Sequence, residues 1–193
     1  MARDDRSRWD ERYLTGDWAD IDEPAPIVLD LAPHLHAPGT ALDLACGAGR
    51  NALFLAERGF SVMGVDISRE GLRRLARRAD ERRLSVQAVH ADLERFGVRP
   101  ASFDVIVNTH FLLRSLFPLI RKALRPGGYL AFETFSVDEI EVLGGDIRRA
   151  FALERGELLG AFGDFELVLY EEGVFERDEG ERGLARLIVR NVE

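Results

Sequence analysis

Three aspartates, two glycines and a histidine stand at or near the ends of apolar runs in this 193-residue chain. The stretch Ala41-Leu-Asp-Leu-Ala-Cys-Gly-Ala-Gly-Arg-Asn-Ala52 passes from alternating apolar residues through Gly47 and Gly49 into the amphipathic pattern Ala52, Leu53, Leu55, Ala56. That pattern is a strand, a tight turn and a helix N-terminus, which together bring backbone N–H groups against a ligand. Gly47-Ala48-Gly49-Arg50-Asn51-Ala52 also satisfies the dinucleotide fingerprint, whose last position takes Gly or Ala. Asp66 closes the next apolar run, and a carboxylate there can accept both hydroxyls of a ribose. That role serves NAD and any other adenosine-containing ligand equally. Asp92 follows the third run, and Asn108 to His110 follow the fourth.

For these groups to meet, the runs must lie side by side. Strands are expected at 40–45, 60–66, 85–90, 102–108 and 129–135, separated by helices at 50–58, 69–83 and 111–124, the last interrupted or bent at Pro118. Strict alternation of strand and helix implies a parallel sheet with right-handed crossovers. After Ser136 the rhythm changes to a helical segment near 146–160, a strand at 165–170, a charged turn at 171–182 and a strand at 184–190. Two strands joined by a turn make a hairpin. The expected fold is therefore one α/β domain built on a doubly wound, mostly parallel, seven-stranded Rossmann-like sheet that ends in an antiparallel hairpin strand. Ligands of such sheets bind beyond the carboxyl ends of the strands, where the polar residues above collect.

Residues 1–20 are highly charged but contain Trp9, Tyr13, Leu14 and Trp18. Trp9 and Tyr13 are four apart and share a helix face, so the segment is either a helix pinned to the domain or a lid over the ligand. Pro24 and Pro26 introduce a helix at 27–32, closed by Pro33 and by Pro38-Gly39. The expected division is an N-terminal helical lid at 1–38 and a ligand-binding core at 39–193.

Hydrophobic residues make up 46% of the chain and charged ones 31%, and the net charge is −8. This acidity argues against nucleic acid as a main partner. Arg69, Arg73, Arg74, Arg77, Arg78, Arg82 and Arg83 crowd one helix, whose inward residues are expected to be Leu72, Leu75, Ala76 and Ala79. That leaves the arginines on a solvated face, or on an anion- or RNA-binding patch. Cys46 is the lone cysteine, and His34, His36, His90 and His110 have no metal-ligand spacing with it, so no metal is expected. No apolar run reaches membrane length, and the first residues lack a signal-peptide segment. A cytoplasmic protein, monomeric or homodimeric, is expected.

From residue 9 to 190 the chain resembles the class I S-adenosylmethionine-dependent methyltransferases. The resemblance is carried by Leu42-Asp-Leu-Ala-Cys-Gly-Ala-Gly-Arg50, Val65-Asp66, Ala91-Asp92-Leu93, Phe103-Asp-Val-Ile-Val107 and Leu124-Arg-Pro-Gly-Gly128, in that order. Trp9-Asp-Glu-Arg-Tyr13, Gly49-Arg-Asn51 and Phe132-Glu-Thr-Phe135 resemble the small bacterial tellurite-resistance and thiopurine methyltransferase-like groups. The resemblance implies that S-adenosylmethionine is the cofactor and S-adenosylhomocysteine the product. It places the loop Ala45, Cys46, Gly47 and Gly49 under the methionine portion and ribose, and Asp43 near the methionine amino group. Asp66 would hold the ribose hydroxyls, Ile67 and Leu93 would flank the adenine, and Asp92 would accept from its amine. Trp9, Tyr13, Arg50, Asn51 and Asn108 complete the implied cofactor contacts. Ala45 stands where many members carry the first glycine of the loop.

Methyl transfer from a sulfonium is an in-line displacement whose main demand is alignment. His110 is the expected general base where the acceptor carries a proton, and Arg114 would hold an anionic acceptor. Asn108-Thr109-His110-Phe111 lacks the Asn-Pro-Pro-aromatic run of amino-methylating nucleic-acid enzymes, which points to a small molecule or small anion as acceptor. Phe111, Phe117, Phe135 and Phe151 are candidate linings for its pocket. Two other readings stay open. One is a catalytically silent cofactor-binding module that contacts a partner through 171–182. The other is a nicotinamide-dependent oxidoreductase.

Overall fold

A computed structural model describes residues 2–16, 21–177 and 180–192, so Trp18 lies outside the described residues. Its elements in chain order are α1 (Ala2–Thr15), α2 (Pro26–Leu31), β1 (Thr40–Leu44), α3 (Arg50–Glu57), β2 (Ser61–Asp66), α4 (Arg69–Glu81) and β3 (Val86–His90). They continue with β4 (Phe103–Thr109), α5 (Phe117–Ala123), β5 (Leu124–Phe135), α6 (Asp138–Glu141), α7 (Glu157–Phe162), β6 (Glu166–Arg177) and β7 (Gly180–Arg190). The strands form one seven-stranded sheet in the order β3-β2-β1-β4-β5-β7-β6. β1 to β5 are parallel, and β7 runs antiparallel to both β5 and β6. The chain reverses its winding between β1 and β4, the switch point beside which open α/β sheets bind ligands.

Strands buried on both faces need apolar residues at consecutive positions, and β4 supplies them with Val105-Ile-Val107. Val105, Val107, Ala131 and Ile188 face α2, α3 and α4, while Leu42, Ile106, Phe132 and Leu187 face α5 and α7. The second core is tied by three rings. Phe117 lies 5.8 Å from Phe132 and 5.4 Å from Phe162, both edge-on, and Phe132 lies 6.3 Å from Phe162. At the opposite end from the polar residues, Asp104 accepts the Thr40 N–H at 2.7 Å and Arg125 Nη1 at 2.8 Å. Its role there is structural.

Three local expectations are corrected. The helix expected at 111–124 is a 3₁₀ turn at Arg114–Leu116 followed by α5, with Pro118 in the first turn of α5. Proline there starts a helix, because its missing N–H lies among donors that have no intrahelical partner. The segment near 146–160 holds a 3₁₀ turn at Arg149–Phe151 and the short α7 rather than one helix. The charged stretch 171–182 is mostly strand, since β6 runs to Arg177 and β7 begins at Gly180. Its charges are cross-strand partners: Glu171 sits opposite Arg186.

Phe132 is 1% exposed and touches both of the other rings of its cluster. Phe132→Ala should cost about 3–5 kcal/mol, read in urea melts as a lower midpoint with an unchanged slope.

Candidate active site

Strand register lines up the polar residues. Gly64, Asp43, Val107, Ala131 and Ile188 are mutual Cα partners across five strands. Two residues further toward the carboxyl ends of the parallel strands, on the same face, the row reads His90, Asp66, Thr109, Glu133, Arg186 and Glu171. The core is apolar up to Val107 and Ala131, and polar one side chain later.

The glycine loop crosses this row. Ala45 has φ 54, which explains the family preference for glycine at this position. A methyl-bearing residue in the left-handed region costs roughly 1–2 kcal/mol. Gly47 and Gly49 also have positive φ, 54 and 84, and a Cβ on either would collide: with the Tyr13 hydroxyl at Gly47, with Leu75 at Gly49. Asp66, nearly buried, braces the loop, its two oxygens accepting Gly47 N–H at 2.8 Å and Ser68 N–H at 2.7 Å. Burial raises the Asp66 carboxyl, against the pull of the Ser68, Gly47 and Ile67 N–H groups. The carboxylate thus sits at the end of β2, held by the N–H groups of Gly47, Ser68 and Ile67.

Asp43 is the unusual group. It is 1% exposed, and neither carboxylate oxygen accepts a hydrogen bond of normal geometry, the Ala52 N–H only approaching it. Burial pushes its carboxyl up to about 7, aided by Asp66 and opposed by the Ala52 N–H and the Arg50 charge. A buried carboxylate without donors is costly unless a ligand completes it. Cys46 is equally buried, and burial raises its thiol far above the ordinary range, so it is a packing residue and no nucleophile.

α1 lies across the loop. Tyr13 is 9% exposed, its ring stands 6.4 Å from Trp9, and burial raises its phenol. Gly71 of α4 admits the Tyr13 ring and the Gly47 backbone together, since a Cβ there would lie 3.0 Å from the ring and 3.1 Å from Gly47. Asp10 accepts from Ser68 Oγ at 2.7 Å and from Glu70 N–H at 3.1 Å, so α1 helps cap the helix that follows Asp66.

Other expected residues are placed as follows. Asp92 caps the turn at Leu93–Arg95 by accepting Glu94 N–H at 3.0 Å, with Leu93 buried beside it. Ile67 is half-buried, and its carbonyl oxygen is 3.1 Å from His90 Nε2. Asn51 joins two elements: it accepts the Ala25 N–H at 2.9 Å and donates to Thr109 Oγ1 at 2.9 Å. Asn108 points to the opposite face and donates to the Phe111 carbonyl at 2.7 Å. His110 is exposed just past β4, at φ 54, with its ring 5.9 Å from Phe135. Arg114 is spent on Glu157, at 2.6 and 2.8 Å, and on the carbonyls of Ala150 and Ala152. It staples the segment after β5 and is not arranged to hold an anion. Phe117 belongs to the core, and Phe151 is exposed under the Arg148 guanidinium.

Sequence reasoning missed Arg78. It is 9% exposed, donates to the Ala48 carbonyl of the glycine loop at 3.1 Å and pairs with Asp22. Its spacing from Gly71, Leu75 and Ala79 places it on the inward face of α4, while Ala76 is exposed. Periodicity carried that signal, but the crowd of neighbouring arginines masked it. Among the described residues no group of His, Cys, Asp and Glu could hold a metal, and no helix is long and apolar enough to cross a membrane.

A family model described as a methyltransferase domain matches residues 41–128. The chain is 35% identical over 118 residues to the cypemycin N-terminal methyltransferase of a Streptomyces species, covering 56% of this chain and 47% of that one. It is 28% identical over 153 residues to a probable S-adenosyl-L-methionine-dependent methyltransferase, TehB of Haemophilus influenzae, covering 75% of this chain and 52% of that one. The chain thus spans about half the length of these curated relatives. A Burkholderia thailandensis 1,6-didemethyltoxoflavin-N1-methyltransferase, solved with bound S-adenosylhomocysteine, superposes with a TM-score of 0.73 at 21% identity over 100% of this chain and 89% of that one. Residues 41–128 thus match a methyltransferase domain, and the chain is similar to S-adenosylmethionine-dependent methyltransferases over three quarters of its length.

The buried acid has a measurable signature. An unfolded Asp ionises near pH 4, at about 3.9, and folded Asp43 near 7, so between those values the folded chain holds a proton the unfolded chain releases. Stability of the ligand-free protein should fall as pH rises through that window and level off above it. Asp43→Asn should remove this contribution and raise Tm above pH 7, by roughly 2–4 °C for each kcal/mol recovered, with little gain near pH 4. Thermal melts across pH check it; a variant that melts lower than the parent at pH 8 contradicts the assignment.

Proposed function

We propose that the protein transfers a methyl group from S-adenosylmethionine to a small-molecule acceptor. The observation that carries this is Asp43: two bare carboxylate oxygens buried under the glycine loop. A cationic ammonium, such as the amino end of S-adenosylmethionine, completes them. The pyrophosphate of a dinucleotide would instead be pressed against a buried acid, which counts against the nicotinamide reading. When bound, the cofactor supplies an electrophilic methyl on a sulfonium.

The chain's own groups then divide the work of alignment. Asp66 and the loop Ala45 to Gly49 hold the ribose and methionine portion, and Ile67, Asp92 and Leu93 flank the adenine. Arg50 and Asn51 open α3 beneath the cofactor. Trp9 and Tyr13 on α1 cover it, which supports dividing the chain into a cap at 1–38 and a core at 39–193. His110, open to solvent past β4, takes a proton from the acceptor where one must leave. Alignment of this kind is worth roughly 7–11 kcal/mol of the barrier.

Against the silent-module reading, Glu171 pairs with Arg186, and Glu172 takes the Tyr170 hydroxyl and Gly156 N–H. Two relatives are named for an N-terminal and an N1 methyl transfer, which makes nitrogen acceptors the first to try. Monomer or homodimer, and residence in the cytoplasm, belong to the same proposal; the lone, unpaired Cys46 thiol suits a reducing compartment.

S-Adenosylhomocysteine should raise Tm and NAD should not; stabilisation by NAD alone would sink the reading. Asp66→Asn should weaken S-adenosylhomocysteine at least about tenfold in calorimetry, the worth of one hydrogen bond to a charged group. Unchanged affinity would remove Asp66 from the site.

A further inference from the structure

Glu133 belongs to no contact described for the cofactor. It lies in the buried run of β5, its side chain has 0% exposure, and it occupies the polar register row beside Thr109. One carboxylate oxygen, Oε2, receives Arg186 Nε at 2.8 Å and Arg177 Nη2 at 3.3 Å. The other, Oε1, is buried and has no partner. An ion pair that served only to close the sheet would use both oxygens, as a bidentate arginine–carboxylate fork does. Here two guanidiniums crowd one oxygen and leave the second bare, at a cost of roughly 1–3 kcal/mol until a donor reaches it.

The surroundings say what kind of donor. Arg186 also pairs with Asp30 and Glu171, and Phe175 packs within 5.3 Å of the Arg177 guanidinium carbon and 5.5 Å of that of Arg186. Among the described residues, three carboxylates (Asp30, Glu133, Glu171) stand against two guanidiniums (Arg177, Arg186). His110, the proposed base, donates its backbone N–H to the Glu133 carbonyl at 2.8 Å, so the two residues are adjacent at the mouth of β4 and β5. Arg114, the cation nearest in sequence, is already stapled to Glu157.

The structure assigns Glu133 Oε1 to the methyl acceptor: it accepts a hydrogen bond from an N–H or O–H on the group to be methylated. The acceptor class is therefore an amine or hydroxyl compound, not an oxyanion, whose acceptor-only oxygens would meet an acceptor-only carboxylate oxygen. This rests on the methyltransferase reading. Arg177 and Arg186 hold the carboxylate in place through Oε2, and Oε1 orients the nucleophile.

The test starts with the native protein saturated with S-adenosylhomocysteine. Methylammonium chloride and sodium acetate, ions small enough to enter any acceptor pocket, are compared by thermal shift at equal ionic strength. Methylammonium should raise Tm above the acetate value; an equal or larger acetate effect overturns the assignment. In turnover, amines and alcohols should be methylated in preference to carboxylates of the same carbon frame. Glu133→Gln should raise the KM for such an acceptor at least about tenfold and leave the KM for S-adenosylmethionine within about twofold. Removing this charge takes one of three carboxylates from Arg186, so Glu133→Asp, which keeps the ion pair and withdraws the oxygen, should show the same split. An unchanged acceptor KM in a folded variant overturns the proposal. A normal S-adenosylhomocysteine shift without methylammonium preference counts against this proposal alone, whereas no shift with S-adenosylhomocysteine counts against the transferase reading itself.

Discussion

The molecule depends on one boundary in the sheet, where side chains facing α2 and α3 change from apolar to polar within a single step of the strand register. Below it Val107, Ala131 and Ile188 are packed and dry; above it stand Asp66, Thr109, Glu133, Arg186 and Glu171. Because side chains alternate between faces every residue, the boundary exists only if every strand keeps its register. A slip of one residue in β5 would turn Glu133 into the aromatic cluster around Phe132. The apolar packing of both faces therefore guards the placement of every polar group at the site.

That boundary also shapes the electrostatics. Buried carboxylates are tolerated where donors meet them, and Asp66 is met by backbone N–H groups. Asp43, one oxygen of Glu133 and one oxygen of Glu172 lack a hydrogen bond of normal geometry. Asp43 and Glu133 lie on the same face, on either side of β4. A site that leaves acceptors open stores unfavourable energy in the empty protein and releases it on binding cationic or hydrogen-bond-donating groups.

Much of this was legible in the residues. Alternation of apolar runs with helical periodicity carried the parallel sheet, and the return of two strands without a helix carried the antiparallel β7. The glycine turn, Asp66 and Asp92 could be placed because turn chemistry is local. Elements whose form depends on distant partners were less legible. The strand character of 171–182 rests on pairing of β6 with β7, and its charges read as a turn because their partners lie across the sheet. Arg114 looked available because the residues it staples, at 150–157, lie far along the chain. Arg78 was hidden among surface arginines although its helical position was inward.

α1 shows how much weight a few contacts can carry. Most of its residues are charged, and its sequence would not hold a helix in place by apolar burial. What docks it is Tyr13 over two glycines and Asp10 at the start of α4. Both contacts reach the glycine loop and its brace: Gly47 of the loop, and Ser68, whose N–H donates to Asp66. Docking of α1 and the state of the crevice are thus coupled through shared atoms. By linkage, a ligand that changes how Asp66 holds Gly47 and Ser68 changes the grip on α1 by the same free energy. The two glycines that admit Tyr13 are what make this coupling specific to the loop.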